Sequence, residues 1–215
     1  MNKVFDLANQ VARLVLLAEM QTLRAMAVGR APDEPSITNR FLAAMEAAIN
    51  GYFVPGVKWT AKTLTSIGPN TEEKKYGADF MGVLDIDITD FRVQKGFLAQ
   101  AKRFEGIPRS QKGWDKMRDQ CDKMLRLSPD SYLFIYQIGG FQVIPAISVL
   151  SYCKPNIEFL YEKNLVDFYV NHVMSFIGDP RIYSADGKTL SGLASELQEG
   201  GVSALIVGVK GELVG

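Results

Sequence analysis

Three residues with chemically useful side chains lie within residues 77–104: Asp79, Gln100 and Lys102. We predict one strand centred on residues 83–88 and a second over residues 97–103, with polar turn residues between them. Because side chains alternate along a strand, Gln100 and Lys102 share one face. A hairpin of these strands would therefore bring a carboxylate, an amide and an ammonium group to the same end of a sheet.

This set of groups suits a divalent cation beside a phosphate. A carboxylate and neutral oxygens bind a hard cation such as Mg²⁺, which polarises a phosphate and lowers the pKa of bound water. A nearby lysine then offsets the charge that grows on the phosphate, or positions the water. The alternative is that Gln100 and Lys102 are ordinary polar residues on a surface hairpin.

The stretch resembles the PD-(D/E)xK nuclease superfamily, which includes Mrr-type restriction enzymes and Holliday-junction resolvases. In that superfamily an Asp opens one strand and a (D/E/Q)xK triplet follows on the next. The corresponding residues here are Gly77-Ala78-Asp79 and Gln100-Ala101-Lys102. Gln at the first position of the triplet is a departure, although Mrr-type members show a similar QxK. The resemblance covers about residues 72–146.

The resemblance implies a restriction-endonuclease-like α/β fold, in which helices flank a mixed central sheet. It also implies hydrolysis of DNA phosphodiester bonds with Mg²⁺ or Mn²⁺. Small intracellular members of the superfamily often belong to restriction or phage-defence systems, and the resemblance implies the same role here. Asp79 would bind the metal, together with Gln100 and the carbonyl group of Ala101. Lys102 would support the attacking water.

The resemblance suggests three further site residues. The second acid would be Glu46, on the helix before the core, or Glu73, six residues before Asp79. The alternative for Glu46 is a partly exposed helix residue that pairs with a lysine. The alternative for Glu73 is a residue of a solvated loop. Gln120 is similar to the glutamine on the helix after the core in RecB-type nucleases, and an exposed helix glutamine is its alternative.

The elements that would position these residues follow from hydrophobic periodicity and turn signals. We predict helices over residues 4–28, 36–50 (capped by Ser36 or Thr38), 114–127, 156–177 and 190–197, and further strands over residues 57–67, 131–138, 141–144 and 204–209.

The predicted domain organisation is an N-terminal helix and linker (1–35) followed by a nuclease-like α/β domain (36–215). The apolar residues of the first helix exceed one stripe, so it must be buried on more than one side. We expect it to pack on the domain, on a second copy in a homo-oligomer, or on a partner protein.

The distribution of charged residues and the cysteine content bear on the partner and the cellular location. Lys and Arg total 24 and so do Asp and Glu, yet residues 102–126 hold eight basic and only four acidic residues. This local excess of positive charge favours contacts with DNA phosphates. The alternative is a solvated helix of mixed charge. Two cysteines indicate a reducing cytoplasm, and no apolar run is long enough to span a membrane.

A single histidine, His172, offers neither a histidine-based triad nor a zinc cluster, and we expect it to be a packed or capping residue. Two other readings of the chain stay open. One is a catalytically inactive subunit of the nuclease fold that binds DNA or assembles with a partner. The other is a scaffold that oligomerises through its first helix.

Overall fold

The computed structural model describes residues 3–65 and 73–211, without the side chains of Lys3, Glu73 and Lys74. Its helices are α1 (Lys3–Ala27), α2 (Glu34–Asn50), α3 (Glu73–Tyr76), α4 (Gln111–Leu127), α5 (Ala146–Ser151), α6 (Leu165–Val173) and α7 (Leu193–Glu199). Its strands are β1 (Val57–Leu64), β2 (Phe80–Ile88), β3 (Phe91–Arg103), β4 (Ser131–Tyr136), β5 (Gln142–Pro145), β6 (Lys163–Asn164), β7 (Ile182–Ser184), β8 (Leu190–Gly192) and β9 (Ser203–Gly211).

A seven-stranded mixed sheet forms the centre, in the order β1-β9-β2-β3-β4-β5-β6. Strands β2 and β3 pair antiparallel, while β3 and β4 pair parallel because helix α4 carries the chain back across the sheet. Residues of α1, α2 and α6 pack in a core on one face. Residues of α4, α5 and α7 pack in a second core on the other face. The predicted α/β class, with a mixed sheet flanked by helices and an N-terminal helix, is confirmed.

The β2–β3 hairpin is longer than the sequence predicted. Ile88 pairs with Phe91, so the turn consists of only Thr89 and Asp90, and Asp90 takes a left-handed conformation with φ 66°. The predicted eight-residue turn is therefore wrong. Asp is among the few residues that tolerate this conformation, and the tight turn fixes the register along the whole hairpin.

Helix α1 matches the predicted helix to within a residue at each end. It buries one face, including Leu7, Val11 and Val15, in the core that α2 and α6 share. The opposite side leaves Leu16 and Leu17 exposed. Burial of that side by a second copy or a partner stays a prediction.

Other boundaries differ from the predicted ones. The cap of α2 is Asp33, whose side chain accepts a hydrogen bond from the Ser36 backbone, so Ser36 and Thr38 are not the cap. The predicted helix over residues 156–177 is reduced to α6, because Asn164 caps a new start by accepting from the Asp167 backbone. Residues 190–192 form strand β8 before α7 begins. The first two differences follow from side-chain caps, and β8 forms because it pairs with β7. Periodicity reports neither kind of contact.

No helix within residues 3–65 and 73–211 combines the length and the apolar character needed to cross a membrane.

Candidate active site

The β2–β3 register brings Asp79 opposite Gln100. Phe80 pairs with Ala99, and the Asp79 backbone amide donates to the Ala99 carbonyl at 2.8 Å. The Asp79 side chain then turns toward β3, where its Oδ2 accepts from the Ala101 backbone amide at 2.6 Å. A charge-assisted bond of this length holds the carboxylate firmly.

The Gln100 amide lies against the same carboxylate. Its nitrogen is 2.5 Å from Asp79 Oδ2 and 3.3 Å from the Ala101 carbonyl oxygen. Gln100 is only 1% exposed, and among the described residues its Oε1 has no hydrogen-bond partner. The amide nitrogen thus occupies the space between two oxygens, and a buried acceptor remains unused.

Lys102 lies at the same end of β3 and pairs with an acid that the sequence did not single out. Its Nζ is 3.5 Å from Oε2 of Glu34, in the first turn of α2. Glu34 Oε1 also accepts from the Arg103 backbone amide at 3.1 Å. Glu34 is therefore the acid that helix α2 supplies at this end of the sheet.

Glu34 gave a weak signal in the sequence. It follows Asp33 in a segment that reads as a break, and an acid in the first turn of a helix is common for dipole reasons. The sequence indicates which side of α2 is buried, but tertiary packing decides which end of the helix lies at the site. The sequence therefore favoured Glu46, on the edge of the buried side, over Glu34.

Glu46 lies elsewhere. Its Oε2 accepts from the Thr63 backbone amide at 2.9 Å, on strand β1. Since β9 separates β1 from β2, this contact is two strands away from the strand that Asp79 precedes. The structure therefore brings together Asp79, Gln100, Ala101 and Lys102 but ties Glu46 to the edge strand.

Glu73 begins α3, and its side chain lies outside the described part of the chain. Gln120 is near the Asp79 turn through its backbone. A Cβ at Gly77 would lie 2.3 Å from the Gln120 carbonyl oxygen, and Gly77 has φ 75°. Helix α4 therefore packs directly against the turn that presents Asp79, and Gln120 is at that contact.

A neutral tyrosine lies on β4, where it pairs with Arg103 of β3. Tyr136 is fully buried, and its hydroxyl is 3.0 Å from the Thr38 hydroxyl. Burial raises the pKa of Tyr136, and the carboxylates of Asp79 and Glu34 raise it further. Tyr136 is thus a neutral group next to two acids and not a base.

Helix α4 also brings a buried thiol near Lys102. Burial raises the pKa of Cys121 to about 12, while the charge of Lys102 opposes this shift. Cys121 therefore stays a protonated thiol and packs like an apolar residue.

The donor set suits a hard cation. One carboxylate, one amide oxygen without a partner and one backbone carbonyl are oxygen ligands of the type that Mg²⁺ and Mn²⁺ prefer. Among the described residues no group of three His, Cys, Asp or Glu residues converges. Lys102 follows these oxygen donors on β3 and could contact a phosphate bound there.

Comparisons of the chain with protein-family models, with curated proteins and with solved structures returned no match.

Proposed function

We propose that this chain is a metal-dependent nuclease that hydrolyses phosphodiester bonds of DNA, on a restriction-endonuclease-like fold. The proposal is carried by the contact of Gln100 and the Ala101 backbone with Asp79 at one end of the β2–β3 hairpin, with Lys102 two residues after Gln100 on the same face of β3. The β3–α4–β4 crossover that follows agrees with the order of this nuclease core.

In this proposal Asp79, Gln100 Oε1 and the Ala101 carbonyl hold Mg²⁺ or Mn²⁺, and the cation polarises the phosphate and lowers the pKa of water. A half-turn of the Gln100 amide would exchange its nitrogen and oxygen. Three oxygens would then lie close together, which is repulsive unless a cation neutralises them. The unused Oε1 supports this role for Gln100.

Lys102 orients water or offsets the growing charge on the phosphate. Its pairing with Glu34 fixes the ammonium at the site. Glu34, and not Glu46, is the acid that α2 contributes to this arrangement, and its role is to hold Lys102 and the Arg103 backbone and not the cation. Both cysteines are free, which agrees with a reducing cytoplasm, where a restriction or phage-defence nuclease would act.

Calorimetric titration with Mn²⁺ tests the assignment of the metal ligands. Asp79→Asn should lose metal binding, because it removes the carboxylate charge that contacts Gln100. Gln100→Glu should bind Mn²⁺ at least as tightly as the parent protein, because it adds a charged oxygen at the same position.

Glu46→Gln is the matched control for these two variants, and it should bind Mn²⁺ like the parent because Glu46 contacts Thr63 instead. Unchanged Mn²⁺ binding by Asp79→Asn would refute the proposed ligand set.

A second candidate function is a catalytically inactive subunit of the same fold that binds DNA. The Gln100 amide favours it, because its nitrogen occupies the space between Asp79 and the Ala101 carbonyl. DNA binding without cleavage in the presence of Mg²⁺ or Mn²⁺ would support this second function.

A further inference from the structure

A cavity opens beside the candidate site, at the point where β3 ends. It has a volume of about 330 Å³ and is lined by Phe104, by residues 107–109 and by residues 155–158. This volume is at the lower end of the range for small-molecule sites and is of the size that one planar ring system occupies.

One turn of the chain forms the wall between the cavity and the site. The Ile107 backbone amide donates to the Phe104 carbonyl at 3.2 Å, which closes a 3-10 turn over Phe104–Gly106. On the site side, a Cβ at Gly106 would lie 3.3 Å from Glu34 Oε1, and Glu34 pairs with Lys102. The Phe104–Gly106 turn and Glu34 therefore separate the cavity from Lys102.

The lining suits a nucleobase. Phe104 is 40% exposed, so its ring is available for stacking, and Arg109 is exposed at the same wall. Bases stack on aromatic rings and on guanidinium planes. On the opposite wall Asn156 is fixed by accepting from the Glu158 backbone at 2.9 Å. Its amide and the Glu158 carboxylate offer a donor and an acceptor to a base edge.

Basic side chains without a salt bridge to a described residue lie beside the cavity and along the first turns of α4. Arg109, Lys112 and Lys116 are exposed, and none of them forms a salt bridge with another described residue. Later in the helix Lys123 and Arg126 are neutralised by Asp119 and Asp122. The free cations are thus concentrated next to the cavity, where a nucleic-acid backbone would pass.

We propose that this cavity binds an unpaired nucleobase next to the scissile phosphate, so that the substrate is single-stranded DNA. This inference rests on the proposed nuclease function. A base in a duplex is stacked and paired and cannot enter such a cavity unless it is flipped out. Phe104 would stack on the base, and Arg109 would contact the adjoining phosphate.

Fluorescence anisotropy with short labelled DNA, in buffer with a chelator, tests the proposal without cleavage. The parent protein should bind single-stranded DNA more tightly than the matching duplex. Phe104→Ala should weaken single-strand binding roughly tenfold or more, the usual effect of losing one stacked base, and Phe104→Trp should retain it. A fully abasic strand should bind the parent and Phe104→Ala alike, because it has no base to stack.

The matched control is Phe53→Ala. Phe53 is 84% exposed and precedes β1, whose first residue pairs with Gly211 near the β2–β3 turn, at the far end of the sheet. This variant should bind like the parent. Unchanged single-strand affinity in Phe104→Ala, or an equal loss on the abasic strand, would overturn the proposal.

Failure of this proposal can be distinguished from failure of the nuclease proposal. Binding in chelator does not require cleavage, so the Phe104 result stands whether or not the protein cuts DNA. Suppose that metal-dependent cleavage is equal on both DNA forms and unchanged in Phe104→Ala. This result would refute the proposed base site and support the proposed nuclease function.

Discussion

Gln100 sets the charge of the candidate site. An acid at this position would place two carboxylates side by side, whereas the amide leaves Asp79 as the one charged side chain that contacts it within the described part of the chain. The nearby Glu34 carboxylate is engaged by Lys102 and the Arg103 backbone. A cation at this site would therefore depend on Asp79 more strongly than in a site with two acids.

His172 is a residue whose titration should affect folding and not the candidate site. Its Nδ1 donates to the Ile177 carbonyl at 3.1 Å, and Nε2 has no hydrogen-bond partner in the described part of the chain. Burial and the charge of Lys95 lower the pKa of His172 from 6.5 to about 3. The ring is therefore neutral in the folded protein, as expected for a packed residue.

This shift predicts a pH dependence of stability. Below pH 6.5 the unfolded chain takes up a proton at His172 that the folded protein does not, so the free energy of unfolding falls as the pH drops from about 6.5 toward 3. His172→Gln should show a shallower fall, because glutamine does not titrate. Urea unfolding of both proteins between about pH 7 and pH 5 measures the difference.

Other titrating groups cancel in that comparison. Burial raises the pKa of Glu19, and this group changes stability in the opposite direction, but it is present in both proteins. Equal slopes for the parent and His172→Gln would show that His172 does not titrate differently on folding.

At the residue scale, the sequence predicted that Asp79, Gln100 and Lys102 lie at the same end of a hairpin, because side chains alternate along its strands. The direct contact of Asp79 with Gln100 depends on the two-residue turn, which pairs Ile88 with Phe91 and which the sequence analysis predicted too long. It did not predict Glu34. The contact between Glu34 and Lys102 joins residues 68 positions apart, and it depends on how α2 is oriented over the sheet. Periodicity identifies the buried face of a helix but not which of its ends lies over a site.

At the scale of elements, the turn at Gly77 couples helix α4 to strand β2. Gly77 has a positive φ, and it leaves room for the Gln120 carbonyl of α4. This packing positions Asp79 immediately before β2. The geometry of the site thus depends on one glycine that contributes no side chain to it.

Gly77→Ala should therefore destabilise the protein by about 2 kcal/mol or more beyond a matched control. The control is Gly29→Ala: Gly29 has a similar φ of 71°, but a Cβ there meets nothing within 4 Å. Both variants carry the backbone strain of a positive φ, and only Gly77→Ala adds the collision with α4. Urea denaturation measures the free energy of unfolding of both variants. Equal losses of stability in the two variants would show that close packing of α4 against Gly77 does not constrain this position.

The errors at the element scale have local causes. The hairpin turn was predicted too long because polar residues such as Gln94 and Lys95 resemble a loop, although they continue β3. Lys95 is buried in spite of its charge, and burial lowers its pKa to about 8. A buried lysine in a strand contradicts the usual pattern, so no composition rule identifies it.

At the scale of the whole molecule, the final strand completes the sheet between β1 and β2. The sequence predicted strand 204–209 but not its position, because register between segments more than a hundred residues apart leaves no local signal. Strand β9 pairs parallel with β2 over its full length, and it therefore supports the strand that follows Asp79. The end of the chain thus stabilises the candidate site near its middle.

Cleavage of DNA by the whole protein tests the central claim most directly. Plasmid and single-stranded DNA are incubated with Mg²⁺, Mn²⁺ or a chelator, using the parent protein, Lys102→Ala and the control Lys58→Ala. Lys58 is an exposed lysine on the edge strand β1, away from the candidate site. The parent and Lys58→Ala should cleave only with a divalent cation, and Lys102→Ala should lose about a hundredfold or more in rate. Cleavage in chelator, or cleavage by Lys102→Ala at the parent rate, would contradict the account.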